Sequence, residues 1–356
     1  MDETLSRRYI NAAKGIAIFL MLWGHCIQYC CVNSFDYFED PVFKAIYSFH
    51  MPLFMLLSGY VFSFSLAKRD FKTLVVRRTQ SLLQPIIMVQ ILAWFLTSGI
   101  KACLSGSFRT LLNGPWAGSF GSSLLWFLWS VLSISLVAAV AFSAVQNKIL
   151  RGVVLLFGVV FVALMPNAEM NLYMYPYFIT GLLWARWRPR IPQIVQDLKY
   201  LSIILFPIML HFFRKEHYIY TSGLFDAGNP KHQILVDLFR WAIGFVGSVL
   251  ALTLLEVVFT ALRKIDPKRQ KICRAVEKFG EKSLQIYTLS VIFLSLYLPV
   301  VSQFIMERAG YNFLTKHILL YDLVFMPLLA GGYAVALLGL SRLLEKMKLS
   351  RIIFGR

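Results

Sequence analysis

Residues 14–25 read KGIAIFLMLWGH: a lysine, ten uncharged residues from Gly15 to Gly24, then a histidine. No proline interrupts the run, and most of its members are good or neutral helix formers. As a helix it carries His25 roughly 16 Å along the axis from Lys14, at 1.5 Å per residue. Extended to residues 10–32, the apolar stretch is long enough to cross a hydrocarbon core about 30 Å thick. Lys14 then lies near one face and His25 inside the bilayer, where a titratable side chain is costly and by default suggests function.

The composition agrees with a membrane setting. Hydrophobic residues make up 58% of the 356-residue chain and charged residues only 15%, against about 25% in ordinary soluble domains. Mean hydropathy is +0.64. Ten apolar stretches can be read as spans: 10–32, 42–66, 82–100, 123–145, 150–165, 171–187, 199–213, 235–262, 283–306 and 318–343. The sixth ends at the RWRPR run of residues 186–190 and the seventh is short, which predicts a broken or tilted helix there. No stretch between spans is long enough for a soluble domain, and no repeat or low-complexity tract is visible. The expected fold is all-α: a polytopic bundle of about ten transmembrane helices forming one integral-membrane domain over residues 1–356.

The basic residues set the orientation. With the amino terminus inside, the inner segments hold 26 of the 36 Lys and Arg and the outer segments hold 8. An even number of spans returns the carboxyl terminus to the cytoplasmic side. The net charge of +18 therefore reports membrane orientation. Nucleic-acid binding is a poor fit, because the cations lie in short loops beside apolar helices. The first apolar stretch is too long for a signal-peptide core, contains His25, and lacks a small-residue cleavage site. It is expected to remain as a span. Five cysteines show no zinc-like spacing, and no metal is expected. Cys30 and Cys31 stand near the outer end of the first span, where oxidation is one option and apolar packing of thiols the other.

The second span carries YSFHMPLFMLLSGYVFSFS, residues 47–65. It enters from the outer side, so His50 sits about eight residues deep, level with His25, about seven residues from the outer end of the first span. Pro52 removes a backbone donor and can kink the helix, and Gly59 permits close packing. Each histidine can be a satisfied core residue donating to a neighbouring carbonyl. Two at matched depth above Lys14 also provide acid–base capacity near neutral pH. At the inner face, KRDFKTLVVRR (68–78) gathers Lys68, Arg69, Lys72, Arg77 and Arg78 at the level of Lys14. Such a cluster can hold phosphates or serve as a positive-inside loop against anionic lipid.

Five motifs in this order resemble the acyltransferase family 3 membrane proteins. They are RYINAAKGIAIFLMLWGH (8–25), FHMPLFMLLSGYVFSFS (49–65), VVRRTQSLLQP (75–85), LLWFLWSVL (124–132) and FGEKSLQIYTLS (279–290). The resemblance runs from about residue 7 to 345. It implies transfer of an acyl group, commonly acetyl, from cytoplasmic acyl-CoA to a hydroxyl at or beyond the outer half of the membrane. Acceptors in such a family are sugars, envelope polysaccharides and some small molecules. Carried over by position, His25 is the catalytic histidine, Lys14 its basic partner, His50 the matched histidine of the second motif, and Arg78 a residue of the acyl-CoA side. Three positions depart from the pattern: Asn11 replaces an acid, Ser81 an arginine and Ser290 a histidine.

Acyl transfer from a thioester needs a base or nucleophile and a donor to the developing oxyanion. His25 suits the first role, with His50, Trp126 or Tyr287 as orienters, donors or acceptor contacts. Lys14, Arg77 and Arg78 suit the phosphates of acetyl-CoA. The expected partners are acyl-CoA, a glycan or lipid-linked saccharide, and membrane lipids, in a bacterial plasma membrane. The rival class is a carrier exporting a small anionic or amphipathic molecule, which intramembrane charge and proline-interrupted spans also suit. Asp237 and Arg240 are spaced to pair with each other. Glu256 has no evident partner in the sequence. His211, His217, His232 and His317 read as surface histidines of the outer loops. Trp116, Tyr218, Tyr220 and Phe225 are aromatic candidates there for stacking on sugar or for an interfacial belt.

Overall fold

A computed structural model describes residues 3–30, 36–95, 103, 125–226, 228–265, 269–292 and 317–355. The described residues form helices joined by short turns, with no strand among them. In chain order the main helices are α1 (Glu3–Tyr29), α2 (Pro41–Tyr47), α3 (His50–Lys68), α4 (Phe71–Trp94), α5 (Trp126–Ala139), α6 (Lys148–Ala163), α7 (Ala168–Trp187), α8 (Pro192–Phe212), α9 (Pro230–Ile265) and α10 (Arg269–Glu281). They continue with α11 (Ser283–Ile292), α12 (Met326–Lys346) and α13 (Leu349–Phe354).

Six helical stretches among the described residues are long and apolar enough to cross a membrane: Arg8–Tyr29, Pro41–Lys68, Trp126–Ala144, Pro192–Phe212, Pro230–Ala261 and Ile318–Lys346. They match the first, second, fourth, seventh, eighth and tenth expected spans. The seventh is longer than its apolar core suggested, because α8 begins at Pro192 and runs 21 residues. Proline at a helix start costs no hydrogen bond. The fifth and sixth expected spans form α6 and α7 without reaching that threshold. The third forms α4, which begins in the basic segment at Phe71. The end of that expected span, the loop 101–122 apart from Cys103, and the ninth span beyond residue 292 lie outside the described residues. Bands of exposed large apolar side chains, such as Leu156, Leu201, Ile204, Leu328 and Val335, are what a lipid-facing surface requires.

The chain divides into two units: Met1–Tyr60 with Thr180–Gly339, and Val61–Ile179 with Leu340–Arg356. In the first unit α1 packs along α10, and α8 along α9. The α1–α10 contact is unusually close. A Cβ at Gly15 would lie 2.5 Å from the Val276 carbonyl oxygen, and one at Gly280 would overlap the Asn11 carbonyl. Around this seam Arg8 Nε meets Glu277 Oε2 at 2.9 Å, and the Asn11 amide donates to Glu281 Oε1 at 3.1 Å. The acid absent at position 11 is thus supplied from α10, to an amide. Arg8 has its carboxylate partner on α10.

In the second unit α4 packs on α5 and α13. Gln84 Nε2 donates to the last carbonyls of α13, Arg351 at 3.0 Å and Ile352 at 2.7 Å. Those carbonyls have no intrahelical partner at a helix end. Buried Ser130 donates to Asn171 Oδ1 at 2.7 Å, linking α5 to α7.

Candidate active site

The proline in the second span breaks its helix just upstream of itself. Pro52 has no N–H for the Ser48 carbonyl and crowds it, and α2 stops at Tyr47 while α3 restarts at His50. At the break, the Phe49 amide turns back to the Ile46 carbonyl at 3.3 Å. Ser48 Oγ donates to the Ala45 carbonyl at 2.9 Å. His50 Nδ1 donates to the Ile46 carbonyl at 2.9 Å. His50 is buried, and this bond fixes its proton on Nδ1, leaving Nε2 with the lone pair.

The same break aims Tyr47 at α1. Its ring lies against Gly24, where a Cβ would be only 2.5 Å from Tyr47 Cε2. Gln28 Oε1 accepts from His25 Nδ1 at 3.0 Å and from the Tyr47 hydroxyl at 3.1 Å. The hydroxyl oxygen is 3.1 Å from His25 Nδ1. A carbonyl oxygen only accepts, so His25 also carries its proton on Nδ1 and presents the Nε2 lone pair. Tyr47 stands between the two imidazoles, edge-on to His25 with centroids 6.1 Å apart and 4.7 Å from His50. The structure therefore brings His25 and His50 into one cluster, joined through a phenol. A neutral imidazole held by its Nδ1–H is a competent base for a hydroxyl, and an acceptor or nucleophile toward an acyl carbon.

Tyr47 and Gln28 were missed in the sequence reading. The available signal was spacing: Gln28 is three residues after His25 on the same helical face, and Tyr47 is three before His50, just across the break that Pro52 causes. Phe43 stacks on Tyr47 at 3.8 Å and contacts Phe38 and Tyr218. Tyr218 is buried in this aromatic wall, so its ring is committed to packing. Burial and nearby carboxylates push its hydroxyl pKa up. Tyr220 and Phe225 are exposed, and Trp116 lies outside the described residues.

The other expected site residues stand on several different elements. Lys14 is half-buried on α1, roughly 16 Å below His25, too far for contact. Tyr287 is buried on α11. Ser290, at the position of the family's histidine, is buried and donates to the Tyr287 carbonyl at 2.8 Å. Arg77, Arg78 and Trp126 belong to the second unit. There Arg78 Nε donates to Ser135 Oγ at 3.1 Å, and its guanidinium lies 5.2 Å from the centre of the Phe62 ring. Ser81 donates back to the Arg78 carbonyl at 3.1 Å, so no second arginine stands one turn on. Arg77 is exposed beside it, and Trp126 opens α5. Among the described residues no group of three His, Cys, Asp or Glu is arranged to hold a metal.

Two further polar pairs resolve structurally. Arg240 meets Asp237 at 3.1 Å and also donates to the Gly223 carbonyl, the Glu216 carbonyl and Ser222 Oγ. It thereby anchors the loop before α9. Glu256 does have a partner, Lys199, at 2.7 Å. Between the segment before α2 and the loop after α8, Asp36 meets Lys215 at 2.6 Å. That hydrogen bond lowers the Asp36 pKa and raises that of Lys215.

Two nodulation proteins NolL are similar in sequence. The one from Sinorhizobium fredii is 35% identical over 187 residues, 49% of this chain and 47% of the relative. The one from Mesorhizobium japonicum is 29% identical over 290 residues, 77% of this chain and 73% of the relative. The chain thus spans about half the length of the first relative. No solved structure matches. The model of the acyltransferase domain family matches residues 7–347, nearly the whole chain, from the Arg8–Glu277 seam through both histidines to the end of α12. The chain belongs to that acyltransferase family.

Proposed function

We propose that this protein is a membrane O-acyltransferase that moves an acyl group, acetyl by preference, from acyl-CoA to a hydroxyl of a glycan or lipid-linked saccharide. The observation that carries the reading is the His25–Gln28–Tyr47 cluster, with His50 against the same phenol, in a chain of this family. His25 Nε2 is the base that takes the acceptor proton, or the atom that relays the acyl group. His50 Nε2 and the Tyr47 hydroxyl are on hand to orient or to donate. Arg78, held by Ser135 and Phe62, and exposed Arg77 suit the phosphates of acetyl-CoA, with Lys14 in the same role from α1. Trp126 and Tyr287 are acceptor-side candidates.

The proposed topology has ten spans in a single integral domain with both termini cytoplasmic, placing the basic loops on the side where acyl-CoA is made. The membrane is a bacterial plasma membrane. The acceptor is a saccharide of the cell envelope.

The test is transfer of labelled acetyl from acetyl-CoA to a panel of oligosaccharides by the full chain in lipid, with His25→Ala and Arg78→Ala alongside. Transfer lost in His25→Ala supports the role of His25, and undiminished transfer refutes it. Arg78→Ala is expected to raise the apparent KM for acetyl-CoA; an unchanged KM removes Arg78 from the donor site. Saccharide flux without acetylation would establish a carrier instead.

A further inference from the structure

The first unit contains a cavity of about 240 Å³ between α8, α9 and the last turns of α7. It has two distinct ends. One is apolar, walled by Leu56, Leu205, Val246 and Val249. The other holds Tyr9, Arg188, Lys199 and Glu256, at the end of the bundle where α1 begins. None of these charged residues belongs to the histidine cluster, and the acyl-transfer reading uses none of them.

The charges at the polar end define what the cavity can hold. Lys199 and Glu256 neutralise each other at 2.7 Å. The Tyr9 hydroxyl donates to the Leu252 carbonyl at 2.5 Å. That leaves the Arg188 guanidinium as the net charge of the mouth. One cation suits one phosphodiester. The several phosphates of a CoA nucleotide would be under-neutralised there. Trp184 sits beside it on the lining, a residue type enriched at the water–membrane interface.

The wall on the α8 side is open. Leu198 and Leu201 line the cavity and are also 36% and 47% exposed at the surface. Only 11% of the apolar window of α8 is buried. In a membrane that surface faces acyl chains. A soluble ligand would have to cross them, whereas a lipid already lies there.

We propose that this cavity is a lateral lipid site that takes one acyl chain of a singly charged anionic phospholipid, with Arg188 on its phosphate. The chain enters between α8 and α9 and the headgroup stays at the Trp184 level. Such a lipid fills an apolar space that would otherwise lose packing contacts.

The test uses the full chain, stripped of lipid in detergent and titrated with phosphatidylglycerol or phosphatidylcholine, with bound lipid counted by native mass spectrometry. One phosphatidylglycerol is expected to survive at activation energies that remove all other lipid, and phosphatidylcholine is not. Arg188→Ala is expected to weaken that retention about tenfold. Leu201→Trp, which fills the cavity from its exposed side and spares the core, is expected to abolish it. Equal retention of both lipids, or unchanged retention in both variants, overturns the proposal. So does displacement by glycerol 3-phosphate, which would mark a site for free phosphate, or by acetyl-CoA, which would assign the cavity to the donor. These readouts require no catalysis, so they stand or fall independently of acyl transfer.

Discussion

Replacing Tyr47 by Phe removes one oxygen atom and little else. The ring keeps its stack on Phe43 at 3.8 Å and its contact with His50 at 4.7 Å. Gln28 Oε1 and His25 Nδ1 keep their own bond at 3.0 Å, so no buried polar group is stranded. The stability cost should therefore be that of an ordinary net hydrogen bond, about 0.5–1.5 kcal/mol. The catalytic cost is separate. The hydroxyl makes two contacts of 3.1 Å that fix the Gln28–His25 arrangement. Losing about 1–2 kcal/mol of positioning at the transition state slows turnover roughly 5- to 30-fold, at 1.36 kcal/mol per factor of ten. The assay is initial-rate acetyl transfer at saturating acetyl-CoA, with thermal unfolding in the same detergent as the control for folding. The KM for acetyl-CoA should not move, because the hydroxyl is assigned to positioning His25 and not to holding the donor. A variant with kcat within twofold of the parent and normal melting would refute the idea that Tyr47 positions His25. A variant that melts many degrees lower would show instead that the hydroxyl holds the fold.

Other consequences follow from the packing and charge pairs. Gly280→Val forces a side chain into the Asn11 carbonyl and should cost about 1–3 kcal/mol in thermal unfolding. Gly331→Ala, where no atom lies within 4 Å, should be neutral or stabilising by up to about 1 kcal/mol. Arg8→Ala leaves the carboxylate of Glu277, only 10% exposed, without its cation. Because Arg8 itself is 44% exposed, a cost of about 1–2 kcal/mol is expected, below the full buried-pair value, and Glu277→Gln in the same chain should recover part of it. The Asp36–Lys215 pair should show coupling in a double-mutant melting cycle at neutral pH and low salt. Asp36 has a depressed pKa, so its contribution is present above the unfolded value of about 3.9 and is lost as pH falls through the folded value. Lys215 has a raised pKa, so its contribution is present below the unfolded value of about 10.4 and is lost as pH rises through the folded one. Coupling that persists in high salt or strong acid would contradict this surface-pair account.

The histidines and Lys14 were legible because their cost is written in the sequence: each interrupts an apolar run that otherwise would carry no charge. The break in the second span was legible from Pro52, although its effect falls at Ser48 and Phe49, since proline disturbs the carbonyl four residues before it. Tyr47 and Gln28 were not singled out. A tyrosine at a membrane boundary and a glutamine near a helix end are unremarkable by composition, and only a partner across the helix pair gives them a role. Glu256 looked unpartnered because Lys199 is 57 residues away in the chain and reaches it only when α8 packs along α9. Tyr218 was a candidate for stacking on sugar or for an interfacial belt, whereas in the fold Phe38, Phe43 and Phe213 pack against its ring.

The sequence by itself determined an all-helical membrane protein of the acyltransferase family. Hydropathy and helix length act locally, so they can be read along one strand of text. Only the tertiary structure decided which polar groups meet: that Gln28, itself held by Tyr47, sets the proton on His25, that α10 supplies the carboxylates for Arg8 and Asn11, and that Arg188 lines one end of a cavity between α8 and α9. Those outcomes depend on which faces of separate helices pack together, and in particular on the close approaches that Gly24 and Gly280 allow. Spacing within one helix does not contain that information.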